Sequence, residues 1–137
     1  MSQEIVDAVK AGFDALRRGD VEDLLERIHP EFEFTTPPAL SVEPDTYRGE
    51  EGVRRYFDSF YEVMDEVQFV PDEFIDAGER VVVPVTLRAR GKETGLEVEQ
   101  RIFQVWSVRD GRASKVEVFA TLEEAMESAG ATGEGAT

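Results

Sequence analysis

The sequence has no cysteine, one histidine, no asparagine, and three lysines against twelve arginines. Without cysteine, disulfides, thiolate nucleophiles and cysteine-ligated metals are excluded. With His29 as the one imidazole, a multi-histidine zinc site is excluded too, and no metal or cofactor is expected. Long apolar runs are also missing. The longest, Val81-Val82-Val83-Pro84-Val85, is far too short to span a bilayer. The opening MSQEIVDAVK is polar and amphipathic where a signal peptide needs an apolar stretch, so a cytoplasmic protein with no membrane partner is expected. Positive charge is scarce: fifteen basic residues face thirty acidic ones, a formal charge of −15. That balance argues against nucleic acid or anionic lipid as a partner.

What is present fits one domain. The 137 residues, 41% of them hydrophobic, suffice for a single core. The expected domain covers residues 1–130. Residues 131–137, rich in Gly, Ala and Thr, carry too little apolar surface to order themselves and are expected to be a disordered tail.

Residues 3–18 place Ile5, Val6, Val9, Phe13 and Leu16 on one helical stripe. Gly19 suits the position after a helix end and Asp20 the cap of the next helix, Val21 to Ile28, which stops before His29-Pro30. Residues 31–36 alternate with period two and predict a strand with Phe32 and Phe34 on one face. Residues 37–48 hold Pro37, Pro38 and Pro44 without periodicity and predict a loop. A third helix from Gly49 to about Asp65 carries Val53, Phe57, Phe60 and Met64 on one stripe, with Tyr56 beside it. Four strands are then expected, Val67–Asp76, Arg80–Arg90, Leu96–Val108 and Ala113–Phe119. Their breaks are Ala77-Gly78, the hairpin residues 91–95, and Asp110-Gly111, a strong two-residue hairpin signal. Leu122 to Ala129 predicts a last short helix. The acidic pairs Glu50-Glu51 and Glu123-Glu124 lie in helix first turns, where the dipole favours negative charge.

This order predicts an α+β fold, a cone-shaped, curved antiparallel sheet wrapped around the N-terminal helices. Particular stretches carry a resemblance: residues 13–20 (FDALRRGD), 29–34 (HPEFEF), 47–53 (YRGEEGV), 105–112 (VWSVRDGR) and 123–130 (EEAMESAG). Together they resemble the SnoaL-like polyketide cyclase-type branch of the nuclear transport factor 2-like, ketosteroid isomerase-like superfamily, a cystatin-like α+β barrel. The resemblance covers roughly residues 3 to 130. It implies a pocket at the open end of the cone and a homodimer formed through an outer sheet face. It does not settle a reaction, because the site must be argued separately from the fold.

Ketosteroid isomerase uses a carboxylate base and an oxyanion hole of a tyrosine and a protonated aspartic acid. Aligned on Gly19-Asp20, the tyrosine position falls at Gly12, beside Phe13. The base position falls at Thr36, and the protonated acid at Phe103. None of these side chains does that chemistry. The cyclase base, an aspartate on the final strand, falls near Val118 and Ala120, with Glu117 next to them on the opposite face by alternation. Epoxide-hydrolase-like relatives activate water through an Asp-Arg-Asp arrangement, and Arg101 shares the face of Phe103 and Val105. It reads either as an ion-paired strut or as the polar anchor of a ligand. His29 titrates nearest neutrality but has no orienting carboxylate in its sequence context.

Phe13, Phe34, Tyr56, Phe57, Phe60, Arg101, Phe103 and Val118 are therefore the expected pocket residues, with Phe32 among the aromatics that line or fill the cone. Gln104, Trp106 and Phe119 are the expected dimer surface, since a tryptophan on an outer face calls for a cover. The leading reading is a protein that binds a small, mostly hydrophobic molecule. The alternatives are an acid–base enzyme of cyclase, isomerase or hydratase type using Arg101, Glu117 or His29, and an interaction module using the Trp106 face.

Overall fold

The computed structural model describes residues 2–36 and 45–130. The expected tail, and the part of the expected loop that holds Pro37, Pro38 and Pro44, lie outside the described residues. Helix α1, Ser2–Arg17, buries Val6, Val9 and Phe13. It ends at Gly19, whose φ of 70° lets the Asp20 amide reach the Ala15 carbonyl and the Gly19 amide reach Leu16. Asp20 then caps α2, Val21–Glu26, by accepting from the Asp23 amide at 3.0 Å.

Helix α2 stops earlier than expected, and Ile28, His29 and Pro30 belong to strand β1, Ile28–Thr36. The cause is tertiary. Strand β1 runs parallel to β7, Arg112–Phe119, pairing Ile28 with Ala113 and then Glu33 with Lys115, so residues 29–32 bulge past residue 114. Pro30 sits in that bulge, where the ladder asks for no N–H. Residues 45–48, expected as loop, form β2, Asp45–Arg48, antiparallel to β1. Helix α3, Gly49–Val63, follows and buries Val53, Tyr56, Phe57 and Phe60. It lies close to β2 because of Gly52: a Cβ there would stand 2.8 Å from the Tyr47 carbonyl carbon.

The remaining strands are β3, Met64–Pro71, β4, Ile75–Asp76, β5, Arg80–Gly91, and β6, Glu97–Arg109. The single strand expected over Val67–Asp76 is broken at residues 72–74, although β3 and β4 both pair along β5. At the break the Asp72 amide donates to the Pro84 carbonyl at 2.8 Å and the Thr86 hydroxyl donates to the Asp72 carboxylate at 2.8 Å. The β6–β7 hairpin turns on Asp110 and Gly111, at φ 56° and 77°, as a primed two-residue turn requires. The strand order is β2-β1-β7-β6-β5-β3. The fold is α+β, a curved, unclosed and mostly antiparallel sheet, with α1 and α3 packed on one face and α4, Leu122–Ser128, on the other. No described helix is long and apolar enough to cross a membrane.

Cross-strand pairing assigns the two faces of the central strands. Trp106 lies opposite Val81 and Val116, Gln104 opposite Val83 and Val118, and Ile102 opposite Val85. These valines, Ile102 and Trp106 share the main core with Val9, Phe13, Val53 and Phe57 from the helices. Phe103 and Val105 point the other way, into a smaller cluster with Val82, Phe119, Ala125 and Ala129 beneath α4. The expectation that Arg101 and Phe103 face into the cone, with Gln104 and Trp106 outside, is thus reversed. Alternation sorts a strand into two sets but does not say which faces inward. Here both sets are apolar, because α4 covers part of the outer face and Val81, Val82, Val83 and Val85 are all buried.

Candidate functional site

A cavity lies between the inner sheet face and the helices. Its walls are Leu16 from α1, Leu24 from α2, Ile28, Phe32 and Phe34 from β1, and Val53, Tyr56 and Phe57 from α3. Phe69 of β3, Gln104 and Trp106 of β6 and Val116 of β7 complete it. The cavity is small, about 50 Å³. Leu16, Phe34 and Phe69 are only half-buried, while the other lining residues are buried, so these three form the mouth. Local sequence explains the wall: period two puts Phe32 and Phe34 on one face of β1, and helical spacing brings Val53, Tyr56 and Phe57 together. Six of the twelve lining residues are aromatic and none is charged.

Two lining side chains carry polar atoms with no partner among the described residues. The Trp106 indole Nε1 donates to Gln104 Oε1 at 2.8 Å in a buried bond. An indole N–H only donates, so the amide must turn its oxygen to Trp106 and its NH2 group away. Among the described residues neither that NH2 group nor the Tyr56 hydroxyl has a hydrogen-bond partner, yet no fully buried side-chain nitrogen or oxygen lacks one. Each group therefore borders open space, and both residues line this cavity. Burial pushes the Tyr56 hydroxyl well above its ordinary ionisation range, so it stays a protonated donor.

Trp106 is held from behind. Its ring meets Phe13 with centroids 5.3 Å apart, and a Cβ at Gly12 would stand 3.3 Å from it. Gly12, aligned with the position of a catalytic tyrosine in ketosteroid isomerase, here makes room for the indole.

Of the expected pocket residues, Phe34, Tyr56 and Phe57 line the cavity, as does Phe32. Phe13 and Phe60 stand one layer behind, Phe13 against Trp106 and Phe74, and Phe60 against Tyr56 and Phe69. Val118 is buried opposite Gln104 in the core. Phe103 lies on the outer face beside Phe119. Arg101 lies there too, its side chain 59% exposed, paired with Asp72 at 3.6 Å and placed over the Phe103 ring. Glu117, also outward, accepts from the Ser128 hydroxyl at 3.2 Å and meets Lys115 at 3.8 Å. His29 accepts the Glu31 amide on Nδ1 at 3.0 Å, beside Arg109 and Asp110. None of Arg101, Glu117 and His29 lines the cavity. Gln104 and Trp106, expected outside, are wall residues. The signal that finds them is their own pair, since a glutamine among apolar neighbours needs a partner and a tryptophan two residues on supplies the donor.

Comparison with known proteins agrees with this architecture. No curated protein matches the chain. Among solved structures, TerC co-crystallised with polyporic acid is 25% identical, with a TM-score of 0.77 over 92% of this chain and 98% of that one. An NTF2-like protein of unknown function from Burkholderia pseudomallei K96243 is 26% identical, with a TM-score of 0.77 over 93% and 97%. A protein with a ketosteroid isomerase-like fold from Catenulispora acidiphila, at 12% identity, shares the fold with a TM-score of 0.72 over 90% and 92%. The model of the SnoaL-like domain matches residues 9–116, and the chain belongs to that family.

Proposed function

We propose that this protein binds a small, mostly hydrophobic molecule in the cavity between α1, α3 and the inner sheet face. The observation that carries the reading is the wall: six aromatic and five aliphatic residues with Gln104, and no ionised group. Ligand sites are mostly apolar with a few placed polar groups, and this wall has that composition. At about 50 Å³ the cavity is smaller than the roughly 150 Å³ void that takes benzene. A ring therefore enters by pushing aside the half-buried mouth residues Leu16, Phe34 and Phe69. TerC, similar in fold and 25% identical, has been co-crystallised with a small organic molecule, which supports a ligand of this class. Acid–base chemistry by Arg101, Glu117 or His29 has no support in the geometry, since it needs a titratable group within reach of the ligand.

Equilibrium dialysis against mono- and bicyclic aromatic probes tests the reading. One-to-one saturable binding is expected, and Val116→Phe, which fills the cavity, should abolish it. Binding that survives Val116→Phe unchanged places the ligand elsewhere and overturns the proposal.

A further inference from the structure

We propose that His29 is a pH-sensitive latch on the cavity: the neutral ring pins the β1 bulge that carries the wall residues Ile28 and Phe32, and protonation releases the bulge and weakens ligand binding. The inference rests on the binding role proposed above and adds a means of regulating it.

His29 is the chain's one imidazole, the side chain that ordinarily changes charge between about pH 5 and 8. Its side chain is 16% exposed, held between the bulge and the β6–β7 hairpin. Two donors converge on Nδ1, the Glu31 amide at 3.0 Å and the Arg109 guanidinium at 3.2 Å. Both groups only donate, so Nδ1 offers a lone pair and the neutral ring carries its proton on Nε2, which faces the Asp110 carboxylate at 4.0 Å. The bond to Glu31 ties the middle of the bulge where β7 offers no partner, because Ile28 pairs with Ala113 and pairing resumes only at Glu33 with Lys115. The imidazole thus replaces a missing ladder bond.

Protonation ends that arrangement. A proton on Nδ1 would meet two donors, so the imidazolium must turn and the Glu31 amide loses its acceptor. The charges around the ring give it somewhere to go. Arg109 repels it, and Arg112, the cross-strand partner of Arg109, brings a second guanidinium to that end of the hairpin. Asp110 and Glu31 attract it. The Glu31 carboxylate accepts from Arg109 at 2.9 Å, and that bond holds its carboxyl below the ordinary range, so it stays charged. On the helix side Arg27 is turned to Asp23 at 3.3 Å, and Glu50 follows Gly49, where a Cβ would stand 3.6 Å from the Pro30 carbonyl oxygen. The ring therefore has two positions, and a proton chooses between them.

The cavity feels that choice through the chain. Ile28 adjoins His29 and Phe32 adjoins Glu31, and both wall residues are buried. With the tie gone, the stretch between the paired residues Ile28 and Glu33 no longer holds the wall in one shape. A ligand must then order the bulge as it binds, and affinity falls.

Equilibrium dialysis of 1-tetralone, a bicyclic aromatic probe without charge, at pH 8 and pH 5 tests the latch. Wild-type protein should bind it about fivefold or more tightly at pH 8, a coupling of ordinary size. His29→Asn keeps a side-chain oxygen that accepts from the amide two residues on but does not titrate. It should match wild type at pH 8 and keep that affinity at pH 5. In wild-type protein the NMR signals of the His29 ring and of the Glu31 and Phe32 amides should move with one common midpoint. Equal wild-type affinity at the two pH values, a loss in acid that persists in His29→Asn, or a Glu31 amide that ignores the ring's titration would each overturn the latch and leave the apolar pocket standing. No binding of 1-tetralone at pH 8 would overturn both.

Discussion

Trp106 and Gln104, two residues apart on one strand, are joined by a 2.8 Å hydrogen bond inside the core, and this bond decides what the cavity wall presents. Neither partner is satisfied without the other. Trp106→Phe keeps an aromatic ring but leaves the Gln104 oxygen without its donor, and it should cost about 1–3 kcal/mol. Gln104→Leu strands the indole N–H and should cost a similar amount. The double variant removes both needs, so urea denaturation should find it less destabilised than the sum of the singles. The difference should be about 1 kcal/mol or more, and strict additivity would contradict a buried, mutually dependent pair.

Gly52 gives a purely steric prediction. The Tyr47 carbonyl carbon lies 2.8 Å from where a Cβ would stand, so backbone and not a flexible side chain must move. Alanine gains about 1 kcal/mol in helix propensity. The overlap between α3 and β2 should outweigh that and leave Gly52→Ala less stable by about 1–3 kcal/mol. A thermal midpoint at or above that of the wild type would contradict the close approach.

Tyr56 should make stability fall in alkali. An unfolded tyrosine ionises near pH 10, whereas burial keeps the folded Tyr56 protonated above that point. Its contribution is therefore whole below about pH 10. Above it the unfolded chain sheds a proton that the folded chain keeps, and stability declines as pH rises. Tyr61 is raised by burial as well and adds to the decline. Urea midpoints between pH 9 and 11 should drop less steeply for Tyr56→Phe than for wild type; identical slopes would mean the hydroxyl is solvated.

Arg101 and Glu117 should matter little. Arg101 is largely exposed and its pair with Asp72 spans 3.6 Å. Arg101→Ala should shift stability by less than about 1 kcal/mol. Neither that change nor Glu117→Gln should alter ligand affinity in dialysis, and a loss of affinity in either would move the site to the outer face.

Local chemistry was legible in the sequence where it acts alone. The Asp110-Gly111 turn, the Gly19 helix end and the Asp20 cap each follow from backbone preference, and the structure realises all three. The stripe of α3 was legible for the same reason, and with it Tyr56 and Phe57 in the cavity wall. What needed distant partners was not. The start of β1 at Ile28 depends on its parallel pairing with β7, and β2 exists because β1 offers it an edge. The inverted assignment of Trp106 and Arg101 has one cause: α4, from the far end of the chain, covers the outer face and makes both faces of β5 and β6 apolar. With both sides apolar, period two carries no sign.

The central claim is that the cavity beside Trp106 binds a small apolar molecule, and the chain itself supplies the probe, since Trp106 is its single tryptophan. Fluorescence titration with 1-tetralone should give a saturable change in Trp106 emission with one-to-one stoichiometry, lost in Val116→Phe. An emission spectrum that stays constant to the solubility limit of the ketone, or that changes equally in Val116→Phe, would contradict it.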